Sequence, residues 1–231
     1  MGSAQAEPFI FLPITFACLA IFGSGPFVLL SSSFTQLQIT HLLNFSMDLK
    51  NLPPSMVSQL ANMVEDYVTS SRKKYAPQAV PLTDAQRTAM QPFFSAAVLD
   101  SARLCVLHGT RVSNPSMYTM AKMMGIRNLP DFADMTAITF VDVIVSHQEF
   151  TDVLLFHELV HVAQYAQMDL KQFAARFVNG FVQGGSYEKI PLESQAYALE
   201  ARFSQGRGNT FSVDDEVRQW REAESYETPL S

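Results

Sequence analysis

The sequence predicts an α+β domain that is mainly helical and carries a small sheet. Three observations lead there. From residue 54 onward, several stretches repeat apolar residues at helical spacing between recognisable caps. Ala137 to Val145 is different: it alternates and is rich in β-branched residues, with Ile138, Phe140, Val143 and Val145 set against Thr139, Val141 and Ile144. Finally, 231 residues, of which 48% are hydrophobic and 16% charged, are enough to bury one substantial core and too apolar for a disordered chain.

The first segment is apolar. No Asp, Glu, Lys or Arg stands between Glu7 and Asp48, and Phe9 to Phe22 is almost wholly apolar before Gly23-Ser24-Gly25-Pro26 leads into Phe27-Val28-Leu29-Leu30. Residues 1–33 read as a signal or membrane-anchor segment, which implies membrane association through residues 8–30 and an anchored or exported chain. Pro13, the Gly/Pro cluster and the lack of Lys or Arg in the first seven residues argue against one spanning helix. Cleavage after Ala20 or after Ser33, a retained anchor, and an apolar arm packed on the domain or on a second subunit are all open. Cys18 and Cys105 are the two cysteines and give no disulfide framework. Residues 34–44, polar at the start, form a linker, and 45–231 form the domain.

Within the domain, Pro53-Pro54 starts a helix over 54–71, with Met56, Val57, Leu60, Met63, Val64 and Tyr67 at helical spacing. Thr83-Asp84 caps a short helix toward Met90, and Pro92 to Val98 leads to a strand over Arg103 to His108. Asn114-Pro115-Ser116 marks a turn, Met117 to Met124 a short helix ended by Gly125. After the Ala137 to Val145 strand, Thr151 or Asp152 caps a helix carrying Leu154, Leu155 and His157-Glu158-Leu159-Val160-His161. Asp169 caps the next, whose Phe173, Phe177 and Phe181 form one apolar ridge, and Gly184-Gly185 stops it. Pro191 opens a further helix bearing Glu193, Ala196, Tyr197 and Glu200.

The net charge of −6 offers no attraction to phosphates, so no nucleic-acid partner is expected; Arg72-Lys73-Lys74 is an isolated basic run. The chemistry lies in residues 157–161. Positions four apart share a helix face, so His157 and His161 can converge on one zinc ion (Zn2+). Glu158 is rotated away from the metal and suited to act as general base on a zinc-bound water. An uncompensated cluster of this kind, flanked by Leu154, Leu155, Phe156, Val160 and Val162, would be costly to bury, and a metal removes that cost. For the third ligand, His41, His108 and His147 are weaker than Glu193, which follows the Gly-Gly turn and has the small Ala196 one turn on. Glu200, on the same face, is the substitute, or else a carboxylate that orients a histidine.

The tract from about 135 to 203, which runs from the strand through His157-Glu158-Leu159-Val160-His161-Val162-Ala163-Gln164 to Tyr187-Glu188-Lys189-Ile190-Pro191-Leu192-Glu193-Ser194-Gln195-Ala196-Tyr197, resembles the gluzincin class of zinc metallopeptidases. It is similar to bacterial DUF4157-like metallopeptidase domains. The resemblance implies a zincin-like domain, zinc on His157, His161 and Glu193, Glu158 as catalyst, and an edge strand beside the motif helix that receives an extended peptide. The 31 residues between His161 and Glu193 make a wider gap than in aminopeptidase or thermolysin-like patterns. Peptide hydrolysis also needs an oxyanion donor, for which Tyr187 is the first choice and Tyr197 the second. Gln164 and Tyr165 are expected to support the motif helix. The expected function is zinc-dependent hydrolysis of a peptide or protein substrate. The rival is a non-catalytic, membrane-associated zinc-binding module with a degenerate peptidase fold.

Overall fold

The computed structural model describes residues 49–123, 126, 128–206 and 210–227. The apolar segment 1–33, the linker 34–44, His41, Cys18 and the helix stop expected at Gly125 lie outside the described residues. The domain is mixed α+β and mainly helical, as the sequence predicts. Its helices are α1 (Pro54–Tyr75), α2 (Asp84–Met90), α3 (Ala96–Ser101), α4 (Met117–Met123), α5 (Asp152–Gln167), α6 (Leu170–Gly184), α7 (Pro191–Ser204) and α8 (Val213–Glu227). The strands are β1 (Val80–Pro81), β2 (Arg103–Val106), β3 (Ala137–Phe140) and β4 (Val143–Ser146). None of the described helices is long and apolar enough to cross a membrane.

The four strands form one sheet in the order β1-β2-β4-β3, with β2 and β4 parallel and the outer pairs antiparallel. Here the sequence reading needs correction. Ala137 to Val145 is not one strand but two, folded back as a tight hairpin in which Thr139 pairs with Ile144 and Phe140 with Val143. Two-residue hairpins need a positive φ at the first loop residue, and Val141 supplies it at φ 64 without being glycine. A β-branched residue in that region is strained, so neighbours must fix the turn. Arg72 of α1 donates to both Asp142 carboxylate oxygens, at 2.5 and 2.8 Å, and Arg103 N–H donates to the Asp142 carbonyl at 2.7 Å. The expected edge strand is thus β3 alone, while β4 is internal and buried along its whole length.

Three further expectations shift. The strand at Arg103 stops at Val106 rather than His108, although Leu107 N–H still bonds Ser146 O at 2.7 Å. The stretch after Pro92 makes α3, capped by the Ser95 hydroxyl at Val98 N–H. The first helix continues one turn past residue 71, to Tyr75.

Alternation sends the two faces of β4 into different parts of the core. Ile144, with Leu104 beside it, packs on Leu155, Phe156 and Leu159 of α5. Val143 and Val145 join Cys105, Phe140 and the α1 residues Val68 and Tyr75. Consequently α5 is buried continuously from Leu155 to Tyr165, the pattern of a helix surrounded by other elements. Its start is fixed by the Thr151 hydroxyl, which accepts from Leu154 N–H at 3.2 Å. The Asp169 carboxylate does the same for α6, at Gln172 N–H, 2.7 Å, and Gly185 ends that helix at φ 75 with its N–H on Phe181 O. In the Phe ridge of α6, Phe173 and Phe181 are buried and Phe177 is half-buried; Phe173 stacks on Tyr165 with ring centroids 3.7 Å apart.

Candidate metal centre

Two helices bring the polar cluster together. His157 and His161 project from one face of α5, and Glu193 from the first turn of α7, which crosses that face. The approach of α7 depends on small residues. Ala196 is fully buried at the crossing, and Gly180 of α6 lies where an added Cβ would come within 2.6 Å of the Pro191 ring that opens α7. Pro191 supplies a helix start with no N–H left unsatisfied, and Glu193 follows two residues later.

The three side chains are buried, and their nearest atoms form a small triangle. His157 Nε2 and His161 Nε2 are 3.3 Å apart, and Glu193 Oε2 lies 3.8 Å from the first and 3.5 Å from the second. A point equidistant from three such atoms is about 2.1 Å from each, within the zinc–ligand range of about 2.0–2.2 Å. Glu193 Oε2 is buried without a hydrogen-bond partner, a costly condition for a carboxylate oxygen. The far nitrogens of both rings are held by acceptors: His157 Nδ1 meets Glu200 Oε2 at 2.7 Å, and His161 Nδ1 meets Gln164 Oε1 at 2.9 Å. Each Nδ1 therefore carries the proton and donates, which aims the Nε2 lone pairs at Glu193. Gln164 is oriented in turn by donating from its amide to Leu192 O and Gln195 Oε1, at 3.0 and 2.9 Å. This buried group of His157, His161 and Glu193 can hold a metal ion.

Electrostatics couple the three. Burial opposes charge on His157, but the facing Glu193 carboxylate, the hydrogen-bonded Glu200 and the nearby Glu158 outweigh it and raise the imidazole to about 10. His161 is raised as well, burial again being outweighed, here by Glu193. Burial would push Glu193 up, yet the two imidazoles and Tyr187 hold its carboxyl well below the usual range. Without metal, a proton on His157 thus competes for a nitrogen that a metal would use.

Glu158 is buried beside this group, and its Oε2 accepts from the Thr139 hydroxyl on β3 at 2.7 Å. Thr139 is a site residue the sequence reading did not single out. Its face of the strand was legible, but its contact with Glu158 depends on where β3 lies along α5. Tyr187 is half-buried and interacts with the Glu193 carboxylate; desolvation first, and then that carboxylate, push its phenol well up. Tyr197 is 47% exposed and lies against the His157 ring, centroids 4.7 Å apart. Glu200 takes the histidine-orienting role rather than a place in the triangle. His147 is elsewhere: its Nε2 accepts from Val112 N–H at 2.9 Å and its Nδ1 donates to Met135 O at 2.6 Å. His108 is exposed.

Glu158, His161 and Glu193 also line a partly enclosed cavity of about 120 Å³ whose walls are otherwise almost entirely apolar. Comparison with known proteins finds no matching family model, no matching curated protein and no matching solved structure.

Proposed function

We propose that the protein is a zinc-dependent hydrolase of peptide or related amide bonds, with His157, His161 and Glu193 holding the ion. The carrying observation is the unpartnered, buried Glu193 oxygen facing two imidazole nitrogens at ligand spacing. When bound, zinc supplies Lewis acidity to a substrate carbonyl and to an attacking water. A site of three protein donors suits this, because structural zinc sites are closed by four.

The remaining steps belong to the chain. Glu158 takes the proton of the attacking water and returns it to the departing amine. The Thr139 hydroxyl donates to one of its oxygens and so fixes the carboxylate's orientation while the other stays available. Glu200 and Gln164 keep both Nδ1 atoms protonated and the rings correctly turned. Tyr187 and Tyr197 flank the cluster, and either phenol is suited to donate to charge developing on the substrate oxygen. The edge strand β3, with one side unpaired among the described strands, offers backbone groups to an extended substrate. This reading agrees with the gluzincin resemblance of the motif tract.

The test compares zinc content and cleavage of an unfolded protein for wild type, Glu158→Gln and His157→Ala. Glu158→Gln is expected to keep zinc and lose roughly 10²- to 10⁴-fold in rate, the usual worth of a general base. His157→Ala is expected to lose both. Undiminished cleavage by Glu158→Gln, with zinc bound, removes the catalytic reading.

A further inference from the structure

We propose that the apolar cavity beside the metal group receives a long hydrocarbon chain carried by the substrate, so that the scissile amide bears an acyl-type substituent. The proposal rests on the hydrolase reading for the position of that amide.

The first argument is from packing. Interiors are filled to crystal-like density, and apolar voids destabilise in proportion to their volume. Here the apolar walls come from α1, β3, α5 and α6 together and adjoin the metal group, so the space is shaped by four elements and not left by one small side chain. The second is from chemistry. Among the described lining residues, the charged or readily titrated ones are Glu158, His161 and Glu193, all at one end; the others are aliphatic, aromatic, methionine, proline, a threonine beside Glu158 and tyrosines. The Tyr67 hydroxyl already donates to Ser113 O at 2.8 Å. A charged group placed deep among these walls would meet no opposite charge and few polar partners, which disfavours it.

Length distinguishes a chain from an ordinary apolar side chain. On α1 the lining runs from Leu60 to Val68, and on α6 from Phe173 to Phe181, each about 12 Å of helix at 1.5 Å per residue. No apolar amino-acid side chain reaches so far. The polar end is then the reacting end: a hydrocarbon lying along α1 and α6 leaves its attached carbonyl beside Glu158, His161 and Glu193.

The experiment titrates zinc-loaded full chain with acetohydroxamate, octanohydroxamate and dodecanohydroxamate, and with a leucine hydroxamate as a side-chain-length control. Affinity is expected to rise about tenfold for each two added methylenes until the chain is accommodated. The gain should collapse in Val64→Trp and in Ala121→Trp, two independent plugs on different walls, whose unchanged melting and metal content serve as fold controls. Affinity independent of chain length, a leucine hydroxamate as tight as the dodecanoyl one, or a chain-length gain that survives both plugs overturns the proposal. A parallel titration of dodecanoate into metal-free protein separates it from the hydrolase reading. Dodecanoate binding that the plugs abolish, in a protein that takes up no zinc, supports the ligand class and removes the metal chemistry.

Discussion

Two imidazole nitrogens 3.3 Å apart, both aimed at a buried carboxylate oxygen, repel one another unless a cation lies between them. A proton or a metal can fill that role, and the two compete. His157 is raised to about 10 in the metal-free protein, so between its ordinary value of about 6.5 and about 10 the folded state holds a proton that the unfolded state has released. Stability from this group is complete below about pH 6.5 and is lost as pH rises toward 10; the depressed Glu193 works oppositely, its contribution vanishing in acid. Metal-free protein should therefore melt progressively lower from pH 6.5 to 9, while its zinc affinity climbs over the same range as protons leave. A flat melting profile there, in calorimetry of chelator-treated protein, contradicts the coupling. The orienting carboxylate gives a second prediction. Glu200→Gln should weaken zinc binding about 10- to 100-fold without removing it, as competition with a chelating dye would show.

At the scale of elements, the centre depends on how closely α7 crosses α5 and α6. Gly180→Ala puts a Cβ 2.6 Å from the Pro191 ring, whose closed geometry cannot swing aside. The substitution should cost roughly 1–3 kcal/mol by overpacking and should weaken zinc binding, because Glu193 follows Pro191 by two residues; denaturant melts and zinc titration measure the two effects. A loss of stability with zinc affinity unchanged shows that the crossing does not position Glu193. Elements with caps and strong spacing were legible in the sequence: α5 from Thr151, α6 from Asp169 to Gly185, α7 from Pro191. The hairpin was not, because Val141 occupies a turn position that Asn or Gly would normally announce. The terminal helix α8 was missed although its signals are present: Ser212 caps Asp215 N–H at 3.1 Å, and Asp214 to Glu216 fill its first turn. Within the site, helical period alone related His157 to His161. Glu193 stands out in the sequence by its helix start and the small Ala196, with Glu200 open as substitute or histidine-orienting carboxylate; which of the two faces the imidazoles, and the contacts of Gln164 and Thr139, follow from helix crossing and strand placement, which local spacing does not encode.

Across the described domain, the candidate metal residues join α5, buried among the other elements, to α7, which is separated from it in sequence by α6. An ion shared by these helices binds only the folded arrangement, so it stabilises by mass action, about 2.7 kcal/mol when free zinc is a hundredfold above its dissociation constant. Melting should therefore rise with zinc concentration and fall to a fixed lower value under chelation. The metal centre is the claim on which the rest depends. The most direct test is elemental analysis of purified, zinc-reconstituted full chain beside His161→Ala and Glu193→Gln, with dialysis to remove loosely held ions. A single zinc ion per wild-type chain, absent from His161→Ala and much reduced in Glu193→Gln, is the predicted result. No zinc in the folded wild type, or the same zinc content in His161→Ala, would contradict it.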